Sequence, residues 1–254
     1  MKTALITGAS SGIGEATAYV YAKNGYNLVL TARRTKKLHD IKDSILSKYK
    51  ISINIFIVDL SLPAGAEVLY NYVIENNLKI DVLINNAGFG IYSMLKDTDI
   101  IREEQMLNLN ILSLTKLTKL FVDHMLSLGG GNIINVASTA AFQAVPYLAT
   151  YSATKAYVLN FSEAIGYELK KDNIFVTAVC PGATKSEFAN IAGFKSDNAF
   201  KNAPTSNELA EFIYKAMKKK RISPVHGVKN NFLAFSLRFS PRKINTMVAG
   251  KMMD

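Results

Sequence analysis

Six short apolar runs alternate along the chain with longer segments of helical periodicity, and this alternation most constrains the fold. The runs are KTALIT, NLVLTA, ISINIFIV, DVLIN, GNIINVA and IFVTAVC, and the helical segments start near Gly12, Thr35, Leu62, Thr98 and Thr150. Near-continuous Val, Ile and Leu runs are typical of strands buried on both faces. The pattern predicts an α/β fold, with a doubly wound parallel sheet of about seven strands and helices on both faces.

Length and composition point to one domain. The 254 residues are 49% apolar and contain no Ser, Gly or Pro tract that suggests a linker, so we expect a single domain over residues 1–254. One cysteine, Cys180, and three scattered His residues offer neither an internal disulfide nor a zinc spacing, so no metal site is expected. The start MKTALITG leaves no room for a signal peptide, and no apolar run reaches about 18 residues, which predicts a cytoplasmic protein.

The net charge of +10 raises the question of nucleic-acid binding. The basic residues are spread along the chain, with clusters at residues 33–37 and 218–221. The second cluster ends a helical run that begins near Asn207, where cations complement the helix dipole. No basic stripe interleaved with aromatic residues accompanies it, so no nucleic-acid partner is expected.

The clearest ligand signal lies between the first strand and the first helix. TGASSGIG places Gly8, Gly12 and Gly14 at the carboxyl end of a strand, where doubly wound sheets bind their ligands. Small residues there let the backbone approach a pyrophosphate at the helix N-terminus. The spacing departs from GxGxxG, and glycines can simply make a tight turn, but the strand before and the helix after favour a nucleotide site.

A second signal, YSATK, begins another helical segment. Tyr151 and Lys155 are four residues apart, so on a helix they share one face, where an ammonium group can favour the ionised phenol. The alternative is that Tyr151 packs in the core and Lys155 is solvated. Five letters alone do not decide between the two.

Further motifs accompany these two: NNAG at residues 85–88, Ser138 thirteen residues before Tyr151, and PG at residues 181–182. In order and spacing the whole set resembles the short-chain dehydrogenase/reductase family, from Lys2 to about Phe188. The resemblance implies a Rossmann-like domain with its cofactor-binding and catalytic core in residues 1–188. It also implies a nicotinamide cofactor, hydride exchange with a carbonyl or alcohol substrate, a lid loop over residues 187–203 and a divergent tail over residues 223–254.

The resemblance also implies a role for each matched residue. Tyr151 would be the general acid or base, Lys155 would tune and orient it and bind the nicotinamide ribose, and Ser138 would hold the substrate oxygen. Asn110 matches the family asparagine that holds a water behind the lysine, with Asn108 as a nearby alternative. The expected cofactor-binding residues are Gly8, Ser10, Ser11, Gly12, Ile13, Gly14, Arg33, Arg34, Asp59, Leu60, Asn86, Ala87, Gly88, Tyr151, Lys155, Pro181, Gly182 and Thr184.

The end of the second strand indicates which cofactor is used. NAD-binding units usually carry an acidic residue about twenty positions after the glycines. Here TARR places Ala32 at that position, followed by Arg33 and Arg34. No carboxylate repels a 2′-phosphate and a guanidinium can bind it, so NADP(H) is predicted, unless the arginines are only exposed loop charges. After the third strand, Asp59 matches an adenine-contacting position and would also cap the helix expected near Leu62.

The substrate is less constrained than the cofactor. Apolar side chains near the strand ends predict an apolar pocket, although they could equally be core: Phe89, Tyr92, Phe142, Val145, Tyr147 and Phe188. In the lid, Gly193, Lys195, Asp197 and Asn198 indicate a flexible polar loop. The basic and apolar tail could cover the pocket, contact another subunit or bind a membrane surface. The first two are favoured over the third, because the family usually forms dimers or tetramers, and a homodimer or homotetramer is expected.

The favoured function is therefore an NADP-dependent oxidoreductase acting on a carbonyl or alcohol. The second hypothesis is a non-catalytic NADP(H)-binding regulatory protein on the same fold. Loss of Tyr151 or Lys155 would have indicated the regulatory protein, and both residues are present.

Overall fold

The centre of the fold is a parallel sheet with helices on both of its faces. The computed structural model describes residues 1–194 and 198–253. Its strands are β1 (Thr3–Thr7), β2 (Asn27–Ala32), β3 (Ile53–Ile57), β4 (Val82–Asn85), β5 (Gly131–Val136) and β6 (Ile174–Val179). They pair in the order β3-β2-β1-β4-β5-β6, and every pair is parallel. The predicted doubly wound α/β fold is confirmed.

Helices connect the strands and continue after the last one. They are α1 (Gly12–Lys23), α2 (Thr35–Leu46), α3 (Gly65–Glu75), α4 (Ile100–Leu107), α5 (Leu114–Ser127), α6 (Ala149–Glu168), α7 (Phe188–Ala192), α8 (Asn198–Lys201), α9 (Ser206–Lys218), α10 (Val228–Ser236) and α11 (Arg242–Met253). Short 3₁₀ turns cover Leu95–Asp97, Thr139–Phe142 and Leu169–Asp172, and a π-helical segment, Asn108–Ser113, joins α4 to α5. None of the helices in the described part of the chain is long and apolar enough to cross a membrane.

Alternate residues of the strands pack against different helix layers. Ala4 and Ile6 of β1 pack with buried residues of α1, α2 and α9, whereas Leu5 packs with buried residues of α3 and α5. This period of two is the geometry of a strand, and burial of both faces explains the continuous apolar runs.

The sheet has six strands in the described residues, whereas about seven were predicted. Residues 222–226 run beside β6, where the amides of Ala178 and Cys180 donate to the carbonyls of Ile222 and Pro224 at 2.7 and 3.0 Å. Only one bridge forms, between Cys180 and Val225. Because proline has no N–H to donate, Pro224 keeps this segment from extending into a regular strand.

The order in which successive strands are added to the sheet reverses direction beside β1, and this reversal sets the position of the candidate site. β2 and β3 lie on one side of β1, and β4 to β6 lie on the other. Ligands of doubly wound sheets bind beyond the carboxyl ends of the strands at such a switch point. A cavity of about 620 Å³ lies there, lined by the loops that follow all six strands.

Candidate active site

The loop between β1 and α1 is packed tightly against the end of β4. The Asn86 side-chain amide donates to the carbonyls of Thr7 and Gly8 at 2.9 and 3.3 Å, and the Thr7 hydroxyl accepts from the amides of Asn86 and Ala87. A Cβ on Gly14 would lie 2.3 Å from the Gly8 carbonyl oxygen, so a side chain cannot be accommodated there. The glycines therefore bring two backbone segments together at the floor of the cavity.

This loop also leaves the N-terminus of α1 open towards the cavity. Ser11 is the N-cap residue, and its side chain makes no capping hydrogen bond. Gly12 has a φ of +55°, a conformation that favours glycine. The uncapped amides of the first turn, together with the helix dipole, suit an anionic group.

Two arginines follow β2, and they have different environments. The Arg34 guanidinium donates to the Ser10 hydroxyl at 3.1 Å and pairs with the Glu187 carboxylate at 2.9 Å. Arg33 is 71% exposed and lies 3.5 Å from the Asp59 carboxylate. Both arginines line the cavity, so two guanidinium groups stand where an acidic residue would exclude a 2′-phosphate.

Asp59 does not cap a helix, contrary to the sequence prediction. Its carboxylate accepts from the backbone amide and the hydroxyl of Ser61 at 2.9 and 2.6 Å, which is an Asx-type turn. These hydrogen bonds and the charge of Arg33 lower the pKa of Asp59 despite its partial burial, which acts in the opposite direction. Helix α3 begins later than predicted, at Gly65, after this turn. A Cβ on Gly65 would lie 2.5 Å from the Asp59 carbonyl oxygen, so the start of the helix packs directly against the turn.

The first two turns of α6 carry Tyr151 and Lys155 on one face, as the spacing predicts. Both side chains are buried and line the cavity together with Ser138, which follows β5. The Lys155 ammonium lies 5.8 Å from the centre of the Tyr151 ring and donates to the Val136 carbonyl at 2.7 Å. The structure therefore brings the three predicted catalytic side chains to one wall of the cavity.

Burial shifts the titration of both groups. It raises the pKa of Tyr151 to about 12, an effect that a side-chain hydrogen bond with Ser138 reduces. Burial also lowers the pKa of Lys155 to about 8. In the polypeptide alone, desolvation of the phenol therefore outweighs any stabilisation of its ionised form by Lys155.

Asn110 lies behind Lys155 in the π-helical segment, a local widening of the helix that sequence reasoning missed. Its amide nitrogen donates to the Phe89 carbonyl at 2.9 Å, and its oxygen accepts from the Phe89 amide at 3.2 Å. The amide nitrogen also donates to the Thr154 hydroxyl at 3.1 Å. A Cβ on Gly88 would lie 2.9 Å from the Asn110 oxygen and 3.5 Å from the Lys155 nitrogen. Asn110 is buried and is not among the residues that line the cavity, and its side chain bonds both backbone groups of Phe89 in the loop after β4. Its role in holding a water behind Lys155 stays a prediction.

Most of the predicted cofactor residues surround the cavity. Seventeen of the eighteen line it, and Gly14 lies beneath Gly8 instead. Of the six predicted substrate-pocket residues, Phe89, Val145 and Phe188 line the cavity. The predicted lid residues Lys195 and Asp197, and the side chain of Asn198, lie outside the described part of the chain. Gly193 ends α7 with a φ of +85°.

Several further residues complete the cavity wall. They are Arg102, Gln105, Gln143, Leu148, Ile191, Phe194, Phe200, Asn230, Leu233, Ala234, Leu237 and Met253. The tail therefore covers one side of the cavity, and the Tyr92 hydroxyl donates to the Met253 carbonyl. The helical spacing of Asn230, Leu233 and Leu237 was the one sequence signal that could have identified these cavity residues. Only the fold shows which face of α10 points towards the cavity.

A sheet in this strand order, with a glycine loop at its switch point and a Ser, Tyr and Lys wall, defines a dinucleotide-binding protein of Rossmann type. The short chain dehydrogenase family matches residues 2–193. The chain belongs to this family, and the family predicted from the sequence is confirmed.

Named relatives and solved structures agree with this assignment. The very-long-chain 3-oxoacyl-CoA reductase of Mus musculus is 33% identical over 195 residues, which cover 74% of this chain and 61% of that protein. The NADP-dependent 3-hydroxy acid dehydrogenase of Schizosaccharomyces pombe is 32% identical over 227 residues, which cover 86% of this chain and 88% of that protein. A short-chain dehydrogenase from Sphingobium yanoikuyae in complex with NADPH superposes with a TM-score of 0.85 at 29% identity, covering 93% of this chain and 92% of that one. The chain thus spans about three fifths of the length of the 3-oxoacyl-CoA reductases that it matches.

Proposed function

We propose that the protein is an oxidoreductase that transfers a hydride between NADP(H) and a carbonyl or alcohol substrate. The observation that carries this proposal is one cavity lined both by the glycine loop and by Ser138, Tyr151 and Lys155. The NADPH complex of the Sphingobium yanoikuyae relative and the NADP dependence of the Schizosaccharomyces pombe relative support the choice of cofactor.

The chain's own residues fit NADP(H). The open N-terminus of α1 and the glycine loop would hold the pyrophosphate, because backbone amides and close backbone approach are available there. Arg33 and Arg34 would hold the 2′-phosphate, and Lys155 would bind the nicotinamide ribose. NADP(H), when bound, supplies or accepts the hydride.

In the proposed reduction, the protein supplies the proton and holds the substrate oxygen. Tyr151 donates its phenolic proton to the carbonyl oxygen as negative charge develops there, and Ser138 hydrogen-bonds the same oxygen. With a pKa of about 12 in the polypeptide, Tyr151 is protonated at neutral pH and is ready to donate. Lys155, protonated below about pH 8, stabilises the phenolate that remains. In oxidation the same groups act in reverse.

We further propose an apolar substrate, a homodimer or homotetramer, and a cytoplasmic location. The substrate end of the cavity is walled by Phe89, Phe188 and Phe194, which favours an apolar carbonyl over a sugar. The relatives named for 3-oxoacyl-CoA and 3-hydroxy acid substrates make these classes the first to test. Size-exclusion chromatography with light scattering tests the oligomeric state.

The decisive experiment follows NADPH consumption by the purified protein with 3-oxoacyl thioesters, ketones, aldehydes, steroids and sugars. Tyr151→Phe should lower kcat at least about a hundredfold, because it removes the proton donor and little volume. The affinity for NADPH should stay unchanged. Tyr157→Phe is the matched control: it lies on the same helix, is partly exposed and shares a 2.9 Å hydrogen bond with Thr115, outside the cavity.

Two results would overturn the proposal in different ways. Turnover by Tyr151→Phe close to wild type would remove Tyr151 as the acid. Tight NADPH binding without turnover of any member of the panel would favour the non-catalytic regulatory protein on the same fold.

A further inference from the structure

Helix α10 and the turn after it carry apolar side chains on two opposite faces. One face, with Ala234 and Leu237, lines the cavity. The other carries Val228, Phe232, Phe235 and Phe239, which are spaced by four, three and four residues and therefore form one stripe. Val228 is 89% exposed, Phe232 73% and Phe239 76%. Closing the cavity requires only the first face, so the exposed stripe lacks an explanation within the fold.

Helix α11 repeats the arrangement. Ala249 is buried and Met253 lines the cavity. On its other side, Ile244, Met247 and Val248 are exposed, again at helical spacing. The last 26 described residues thus present two successive apolar stripes to solvent, which is more than scattered exposed apolar side chains need.

Charge distinguishes the tail from the rest of the surface. Residues 212–253 contain no Asp or Glu, and Asp254 is the one acidic residue in the sequence of the tail. Within the tail, all five cations are exposed: Lys229, Arg238, Arg242, Lys243 and Lys251. None of the five takes part in an ion pair with another described residue. Apolar stripes flanked by unpaired cations are the composition of helices that lie in the interface of an anionic bilayer.

We propose that α10 and α11 form a membrane foot that attaches the protein to the surface of an anionic lipid membrane. Phenylalanines of the exposed stripe would insert at the boundary between headgroups and acyl chains, and the five cations would contact lipid phosphates. A second copy of the chain is a weaker candidate for covering the exposed stripe, because pairing two identical basic tails brings like charges close together. The sequence favoured a subunit contact over a membrane contact for the tail. The proposal reverses that order, because the sequence did not show that the stripe stays exposed after the tail covers the cavity.

The test is co-sedimentation of the full chain with vesicles, and it does not depend on catalytic activity. Binding to phosphatidylcholine vesicles that contain about one third phosphatidylglycerol should be strong, should weaken with added salt, and should be nearly lost on phosphatidylcholine alone. Phe232→Ser combined with Phe239→Ser should lower the partition coefficient at least about tenfold. The matched control is Tyr167→Ser, which changes an 88% exposed aromatic residue on α6.

A second set of variants, which remove positive charges, tests the electrostatic contribution to vesicle binding. Replacing Arg238, Arg242 and Lys243 with Gln should weaken binding to the anionic vesicles at least about tenfold. Replacing three exposed lysines elsewhere, Lys50, Lys79 and Lys96, with Gln removes the same charge and should leave binding close to wild type. Unchanged NADPH affinity in each variant shows that it is folded.

Three outcomes would overturn the proposal. The first is equal binding of the wild type to neutral and anionic vesicles. The second is an equal loss of binding in the tail variants and in their control variants. The third is a wild type that binds no vesicles but forms a dimer, which dissociates when Phe232→Ser is combined with Phe239→Ser. The last outcome would assign the stripe to a second copy of the chain.

Discussion

Replacing Lys155 with Met should make the protein more stable at neutral pH. Burial lowers the pKa of this ammonium from 10.5 to about 8. The unfolded chain therefore binds the proton more tightly than the folded protein, and below about pH 8 the folded state carries the cost of a buried charge. The difference of about 2.5 pKa units corresponds to about 3 kcal/mol. Methionine has a stem of similar length and carries no charge, so the variant avoids this cost.

The assay is thermal unfolding of wild type and Lys155→Met as a function of pH, without cofactor. Near pH 7, about 3 kcal/mol should appear as an increase in Tm of about 6 °C for a chain of this size. Between about pH 8 and 10.5 the unfolded wild type holds more protons than the folded protein, so wild-type stability rises relative to the variant and the gap in Tm closes. Lys215→Met, an exposed lysine on α9, is the control and should show no such pH dependence.

The reasoning is refuted if the variant is less stable than wild type near pH 7, or if the gap in Tm does not change with pH. Either result would mean that the 2.7 Å hydrogen bond to Val136 compensates the desolvated ammonium in full. Lys155 would then be an ordinary structural residue with respect to stability.

Three further predictions concern cofactor, positioning and pH. Arg33→Ala combined with Ala32→Asp should shift the ratio of kcat/KM for NADPH and NADH about tenfold to a hundredfold towards NADH. The double variant removes a charge-assisted contact to the 2′-phosphate and adds a carboxylate that repels it, so an unchanged ratio speaks against a 2′-phosphate site there. Asn110→Ala should lower kcat about tenfold and reduce Tm, because the Phe89 backbone loses both partners, and a wild-type rate would exclude a positioning role. The kcat/KM for carbonyl reduction should fall above about pH 8 as Lys155 loses its proton, while Tyr151 stays protonated to about pH 12; a rate that rises through pH 9 would contradict this.

The fold was predictable because burial on both faces leaves a continuous apolar signature in every strand. The seventh strand was not, since whether residues 222–226 pair as a strand depends on backbone donors that Pro224 lacks. Spacing also predicted that Tyr151 and Lys155 share a face, because helical geometry fixes that relation locally.

Long-range consequences of folding were harder to predict. The direction of the Tyr151 pKa depends on how much protein surrounds the phenol, which no local motif encodes. The partners of Arg34 come from Ser10 and from Glu187, which is distant in sequence, so the sequence could not show that Arg34 is tied to the glycine loop while Arg33 stays exposed. The tail was ambiguous for the same reason: two apolar faces of one helix look alike until one of them meets the cavity.

The cost of burying Lys155 is understandable if the proposed reaction requires it. A cation stabilises developing negative charge most strongly where water is excluded, and if the fold has already buried the cation, no desolvation is needed during the reaction. The fold achieves this by placing Lys155 on a rigid helix, bonding it to Val136 at the end of β5, and backing it with Gly88, where a side chain would collide with Asn110. Stability lost at this position is then offset by the packed sheet around it, which is why removal of the charge should stabilise the protein and stop the reaction at the same time.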